Sequence, residues 1–175
     1  MSQSDIERRA SAEIRFSGRK LTGYAVRFNS ETRIGSFRET VAPGAFAESL
    51  RSNADILALA DHNANEVLGR TRSGTLVLRE DSEGLAFELT LPDTQRGRDI
   101  VALAERGDIG GMSFGFKVRD GGEKWSGDLR ELRNVELHEI SVVQSWPAYG
   151  ETSVSLRNKP TDEANVVHRL WLGTV

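Results

Sequence analysis

Short segments in which apolar and polar residues alternate dominate the middle of this 175-residue chain. In Leu85–Leu91, for example, the leucines and Phe87 alternate with Ala86, Glu88 and Thr90. A period of two is typical of a half-buried β-strand. Similar short segments predict further strands at residues 12–16, 21–28, 56–60, 75–79, 112–119, 129–134, 136–143 and 153–156.

Two segments have helical spacing instead. Residues 43–50 begin with a proline suited to a first turn and carry Phe46 and Leu50 four positions apart. Residues 95–106 follow the cap candidate Asp93-Thr94 and stop before Gly107. Many strands with few helices predict an α+β, mostly-β fold, in the form of a small bent-sheet β-barrel surrounded by a few helices.

Composition divides the chain into three parts. Residues 1–11 are polar, and we expect them to be a flexible N-terminus. Residues 12–157 form one predicted folded domain. Residues 158–175 begin with a Lys-Pro break and end in the apolar group around Trp171, so they are predicted to be a separate tail. This tail is a docking peptide, a short terminal helix or an ordinary packed end.

Charge and cysteine content narrow the classes of function. The net charge is −3, from 23 basic and 26 acidic residues, which argues against a dedicated nucleic-acid-binding protein. There is no cysteine, so thiolate metal sites and a cysteine nucleophile are excluded, and a reducing compartment is expected. No apolar run approaches the roughly 18 residues of a membrane helix, and no secretory signal is visible.

Histidine is scarce, with residues only at positions 62, 138 and 168. His62 comes directly after the predicted buried strand 56–60, in a polar segment. A histidine at a strand end can face solvent and exchange protons, although a surface or loop histidine without a function is the more ordinary interpretation of this segment alone.

Ser113 lies in the glycine-rich predicted strand 112–119. Alternation puts it on the less apolar face with Gly115 and Lys117, away from the phenylalanines. Flanking glycines leave room for another backbone, as a peptide substrate needs, but a strand packed beneath a helix has the same pattern.

Glu139 lies in the predicted strand 136–143 on a face with apolar neighbours. A buried carboxylate needs a partner, either a histidine that it orients or an arginine. His138 is the competing candidate for the same role. Serine, imidazole and carboxylate are the groups of a nucleophile, its base and the group that orients the base.

Other kinds of site have weaker support. His62 and Glu66 have ligand spacing only on a helix, and no third ligand accompanies them, so no metal is expected. Lys117 lies roughly 13 Å along the strand from Ser113, too far for a Ser–Lys dyad. No phosphate-binding glycine motif is present, and no cofactor is expected.

Four segments, in order, resemble the prohead (head maturation) serine proteases of tailed bacteriophages, a family related in fold to the herpesvirus assemblin proteases. They are residues 23–31 with 37–46 (GYAVRFNSE, FRETVAPGAF), 56–71 (ILALADHNANEVLGRT), 96–116 (RGRDIVALAERGDIGGMSFGF) and 137–152 (LHEISVVQSWPAYGET). Together they cover about residues 20–156, which includes nearly all of the predicted domain.

The resemblance implies that residues 12–157 are a serine protease domain with His62 as general base and Ser113 as nucleophile. The acidic residue of its last motif corresponds to Glu139. The herpesvirus relatives use a second histidine instead, so His138 remains an alternative. Backbone amides at residues 146–150 are the candidate oxyanion donors.

The resemblance also implies a substrate, a place of action and partners. The substrate is capsid scaffold, either a separate scaffold protein or the N-terminal segment of the major capsid protein, and the protease also cuts itself. It acts inside the assembling procapsid in the bacterial host cytoplasm and self-associates, with no nucleic-acid or membrane partner. The tail 158–175 is then a processing or packaging segment. The alternative is a catalytically silent scaffold-binding module of the same fold.

Overall fold

Strands make up most of the regular structure. The structure is a computed structural model that describes residues 6–11, 13–52 and 54–144. Within them the elements run in the order β1 (Glu7–Ser11), β2 (Glu13–Ser17), β3 (Lys20–Arg27), β4 (Thr32–Ile34), β5 (Phe37–Val41), α1 (Ala47–Arg51), β6 (Leu57–Ala60), β7 (Asn63–Arg70), β8 (Leu76–Glu80), β9 (Gly84–Thr90), α2 (Gln95–Arg106), β10 (Gly111–Val118), β11 (Glu123–Ser126), β12 (Leu129–Leu132) and β13 (Val135–Val143).

These strands form three sheets, with strand orders β1-β10-β13-β6-β7, β2-β3-β9-β8 and β11-β12-β5-β4. The predicted mostly-β, α+β class with few helices is confirmed. The predicted closed barrel is not formed by the described residues, because a barrel needs the outermost strands of a sheet to pair with each other. In the five-stranded sheet, β1 and β7 are opposite edges.

Helix α2 has the bounds that the sequence predicts. The Thr94 side chain accepts a hydrogen bond from the backbone N–H of Gly97 at 3.2 Å, and Gly107 ends the helix with φ of 77°. Helix α1 is shorter than predicted and begins at Ala47 rather than near Pro43. No helix in the described ranges has the length and apolar character needed to cross a membrane.

One face of the β10–β13 pair belongs to the hydrophobic core. Met112 pairs with Val142 and Phe114 with Ile140, and all four side chains are buried. The register shifts between Gly115 and Phe116, so that β13 carries one extra residue opposite this step. Since Phe116 pairs with Leu137 and Gly115 with Glu139, the unpaired residue is His138.

The N-terminal strand differs from the sequence prediction. A flexible segment is expected at residues 1–11, but Glu7–Ser11 form β1 and pair with β10. The Glu7 carboxylate accepts hydrogen bonds from Arg130, 2.6 Å from Nη1 and 2.9 Å from Nη2, and Arg9 Nε donates to Glu39 at 2.6 Å. These partners lie far away in the sequence, so local composition gives no sign of them.

The C-terminal part of the prediction lies outside the described residues. This applies to the predicted strand 153–156, to the domain end at residue 157 and to the tail 158–175.

Candidate active site

His62 lies in the tight turn that joins β6 to β7. Asp61 and His62 both have left-handed backbone conformations, with φ of 46° and 59°. Such conformations are strained for residues other than glycine, and they persist where surrounding contacts hold them. Here the backbone N–H of Asp61 donates to the carbonyl of Val142 at 3.0 Å, and the Asp61 Oδ1 accepts the backbone N–H of Gln144 at 2.9 Å. The turn is therefore attached to the end of β13.

The parallel pairing of β6 with β13 brings this turn to Glu139. Glu139 pairs with Leu57, and Val142 pairs with Ala60, two residues before His62. The His62 Nδ1 lies 2.7 Å from the Glu139 Oε1. An ionised carboxylate only accepts hydrogen bonds, so Nδ1 is the donor in this pair, and the tautomer of neutral His62 that donates here has Nε2 as an acceptor.

The Glu139 carboxylate is held on its second oxygen as well. The hydroxyl of Ser141 donates to Oε2 at 2.6 Å, and the same hydroxyl oxygen accepts the backbone N–H of His62 at 3.2 Å. Glu139 is 5% exposed and Ser141 is fully buried. One serine thus fixes both the carboxylate and the backbone of the histidine that the carboxylate contacts.

Ser113 lies on the same face of the sheet. It pairs directly with Ser141, just as Gly115 pairs with Glu139, and side chains of paired residues point to the same side. The Cα atoms of such partners are about 4.5–5.5 Å apart. Ser113 is 3% exposed, so it lies in the inner part of this face. The fold therefore gathers Ser113, His62 and Glu139 on one side of the central sheet.

His138 has a different surrounding. It is the extra residue of the bulge, and its Nε2 lies 3.7 Å from the Glu136 Oε1. Within the described residues this Nε2 has no hydrogen-bond partner. Burial lowers the pKa of His138, outweighing the nearby carboxylate of Glu136, which raises it. Glu139, and not His138, is therefore the residue that contacts the His62 ring.

The alternative of a metal site depends on His62 and Glu66 lying on one helix, and the structure has a strand there. Residues 63–70 form strand β7, so His62 and Glu66 do not have helical spacing. Glu66 is in an ion pair with Arg96. In the portion of the chain that is described, no three histidine or carboxylate side chains are grouped as a metal site would require.

Two residues of this site have no role in the sequence interpretation. Ser141 could have been found, since it lies two positions after Glu139 and so shares its face. Arg8, whose Nε lies 3.6 Å from the Glu139 Oε1, carries no local signal. The candidate oxyanion donors at residues 146–150 lie outside the described residues.

Comparison with known proteins agrees with this architecture. The structure is similar to that of the bacteriophage T4 capsid assembly protease, gp21, with a TM-score of 0.59 and 7% sequence identity. The similarity covers 82% of this chain and 99% of that chain, and at this identity it shows a shared fold. No curated protein matches the sequence. The sequence pattern of the caudovirus prohead serine proteases matches residues 4–166. The chain therefore belongs to the caudovirus prohead serine protease family.

Proposed function

We propose that this protein is a serine endopeptidase that cleaves capsid scaffold during phage head maturation and also cleaves itself. The scaffold is a separate protein or the N-terminal segment of the major capsid protein. The observation that carries the proposal is the 2.7 Å contact between His62 Nδ1 and Glu139, on the face of the sheet that carries Ser113.

In the proposed reaction Ser113 is the nucleophile. Its Oγ attacks the scissile carbonyl carbon while His62 Nε2 accepts the hydroxyl proton. Glu139 orients the imidazole and balances the charge that His62 then carries. The tetrahedral intermediate collapses to an acyl-enzyme as His62 gives the proton to the leaving amine. Water, deprotonated by His62, then attacks the ester and releases Ser113.

Several finer features belong to the same proposal. Backbone amides at residues 146–150 serve as the oxyanion donors. The fold is akin to that of the herpesvirus assemblin proteases. The enzyme self-associates and works inside the assembling procapsid in the bacterial host cytoplasm, and residues 158–175 are a processing or packaging segment. Membership in a prohead protease family supports this setting, and so does the shared fold with the T4 capsid assembly protease.

Co-expression with the neighbouring capsid gene product tests the function. Intact-mass analysis of both proteins should show cleaved capsid protein with the wild type and uncut chains with Ser113→Ala. The matched control is Ser49→Ala, because Ser49 is also a buried serine next to β13 but bonds only to backbone groups there.

A fluorophosphonate probe, which forms a covalent bond to activated serines, tests the site directly. It should label the wild type and Ser49→Ala but not Ser113→Ala. Cleavage by purified Ser113→Ala would refute the assignment of the nucleophile. A folded wild type that binds capsid protein but neither cuts it nor reacts with the probe would favour a catalytically silent scaffold-binding module.

A further inference from the structure

The carboxylate of Glu139 has a positively charged neighbour from two strands away. Arg8 belongs to the edge strand β1, and its Nε lies 3.6 Å from the Glu139 Oε1, the oxygen that His62 also contacts. The Arg8 side chain is 23% exposed and that of Glu139 is 7% exposed. The pair is therefore largely removed from water.

A missing side chain makes this contact possible. Arg8 pairs with Gly115 across β1 and β10, and Gly115 pairs with Glu139 across β10 and β13. The three residues form one row across three strands, all on the Ser113 face. Since Gly115 has no side chain, Arg8 and Glu139 reach each other over the strand that carries Ser113.

The charges give this contact a role. In the resting state of the proposed reaction His62 is neutral, so it offers Glu139 a hydrogen bond but no positive charge. Among the described residues, Arg8 is the cation that forms an ion pair with Glu139. A buried carboxylate without a counter-charge is costly, and it tends to move toward water. Such a movement would weaken the hydrogen bond between Glu139 and His62.

We propose that Arg8 is a positioning residue for the reaction proposed above, on which this inference rests. Its guanidinium holds the Glu139 carboxylate in contact with His62 Nδ1 before the imidazole accepts the proton of Ser113. The N-terminal strand is then part of the working site as well as part of the sheet.

The variant Arg8→Met tests this, since it removes the charge but keeps a long side chain. Reaction with the fluorophosphonate probe separates the rate of bond formation from probe binding. We expect the maximal rate of labelling to fall roughly 10–100-fold, because a misplaced catalytic group costs about that much, while the half-saturating probe concentration changes less than about threefold. Arg8→Lys should recover most of the rate, since the 3.6 Å contact is one of charge rather than a paired hydrogen bond. Arg19→Met, which removes an exposed arginine from the β2–β3 turn, is the control for net charge.

A second measurement does not depend on turnover. In the Ser113→Ala background, proton NMR should show the hydrogen-bonded Nδ1 proton of His62, and Arg8→Met should shift or broaden that resonance while Arg19→Met leaves it unchanged.

An unchanged resonance and an unchanged labelling rate in folded Arg8→Met would overturn the proposal. So would a loss that Arg8→Lys fails to recover. If the wild type does not react with the probe, the proposed function fails, and the NMR comparison still decides whether Arg8 positions Glu139 against His62.

Discussion

The carboxylate of Glu139 lies in the space that a side chain on Gly115 would occupy. A Cβ at residue 115 would be 2.5 Å from the Glu139 Oε1 and 3.0 Å from its Cδ. From the sequence, this glycine is expected to leave room for a substrate. In the structure the glycine accommodates the protein's own acid instead, so one position decides where the partner of His62 can lie.

Replacement of Gly115 by alanine should displace that carboxylate. We expect a loss of roughly 100-fold in probe labelling, because Glu139 leaves its place against His62, and a cost of about 1–3 kcal/mol in unfolding free energy from overpacking. Urea denaturation measures the second quantity. In a Glu139→Ala background the same glycine substitution should cost much less stability. An equal cost in both backgrounds would show that the Cβ meets something other than Glu139.

Glu139→Gln should keep the shape of the site and lose its charge. If Glu139 orients the His62 imidazole, the rate of probe labelling should fall by about 10⁴-fold, as when the carboxylate of a serine protease triad becomes an amide. His138→Gln is the adjacent control, and it should retain activity because His138 lies next to Glu136 rather than contacting His62. Probe labelling of both variants decides between them. A large loss in His138→Gln with little change in Glu139→Gln would reverse the assignment.

Ser141→Ala should slow the reaction with the fluorophosphonate probe, because Ser141 holds both Glu139 and His62. It removes the hydroxyl that donates to Glu139 and accepts from the His62 backbone. We expect probe labelling to slow by roughly 10–100-fold.

Ser49→Ala provides the comparison, since its hydroxyl bonds to the backbone of Val135 and Leu137. It should cost about 1–3 kcal/mol of unfolding free energy and leave labelling unchanged. Equal activity losses in the two serine variants would mean that any buried hydroxyl bonded to β13 has the same effect.

Ion pairs join Glu7, Arg9, Glu39 and Arg130 in a largely buried charge cluster. This cluster predicts that the protein loses stability in acid. Burial alone would raise the pKa of Glu7, but hydrogen bonds and charge from Arg130 and Arg9 outweigh it, and the net pKa is lowered. A lowered folded-state pKa stabilises the protein above the unfolded-state pKa of 4.5, and that stability is lost as pH falls toward the folded value.

Urea unfolding at a series of pH values below about 4.5 measures this loss. Glu7→Gln should be less stable at neutral pH by about 2 kcal/mol and should show a shallower fall in acid. Glu83→Gln, which changes an exposed carboxylate, should follow the wild-type slope. Identical slopes in Glu7→Gln and wild type would contradict the role of the cluster.

Features set by neighbouring residues can be predicted from the sequence. Helix α2 is the clearest case, because Thr94 and Gly107 cap it locally. Glu139 is also recognisable, since a carboxylate among apolar positions needs a partner. That this partner is His62, 77 residues away in sequence, depends on the parallel pairing of β6 with β13, which no local pattern encodes.

Regular alternation does not hold along the whole of β13. It groups Leu137 with Glu139 and opposes His138 to both. The bulge at His138 moves Leu137 to the core face, where it pairs with Phe116. A single unpaired residue changes every face assignment beyond it, and its position depends on the partner strand.

Strand β1 is not predicted for a similar reason. Its charged residues are stabilised by partners such as Arg130 and Glu39, which lie on strands β12 and β5 of a different sheet. A polar segment that is buried by distant charges looks, in its own composition, the same as one that is solvated.

The position of β13 between β10 and β6 has a consequence during protein synthesis. The strand before the histidine turn and the strand with Ser113 share no neighbour until β13 inserts between them, and β13 is the last described strand to leave the ribosome. In a nascent chain that ends before residue 135, Ser113 and the His62 turn therefore belong to strands that no common neighbour joins into one sheet. The proposed pairing of Ser113 with His62 must therefore wait until β13 has emerged, a delay that the strand order imposes.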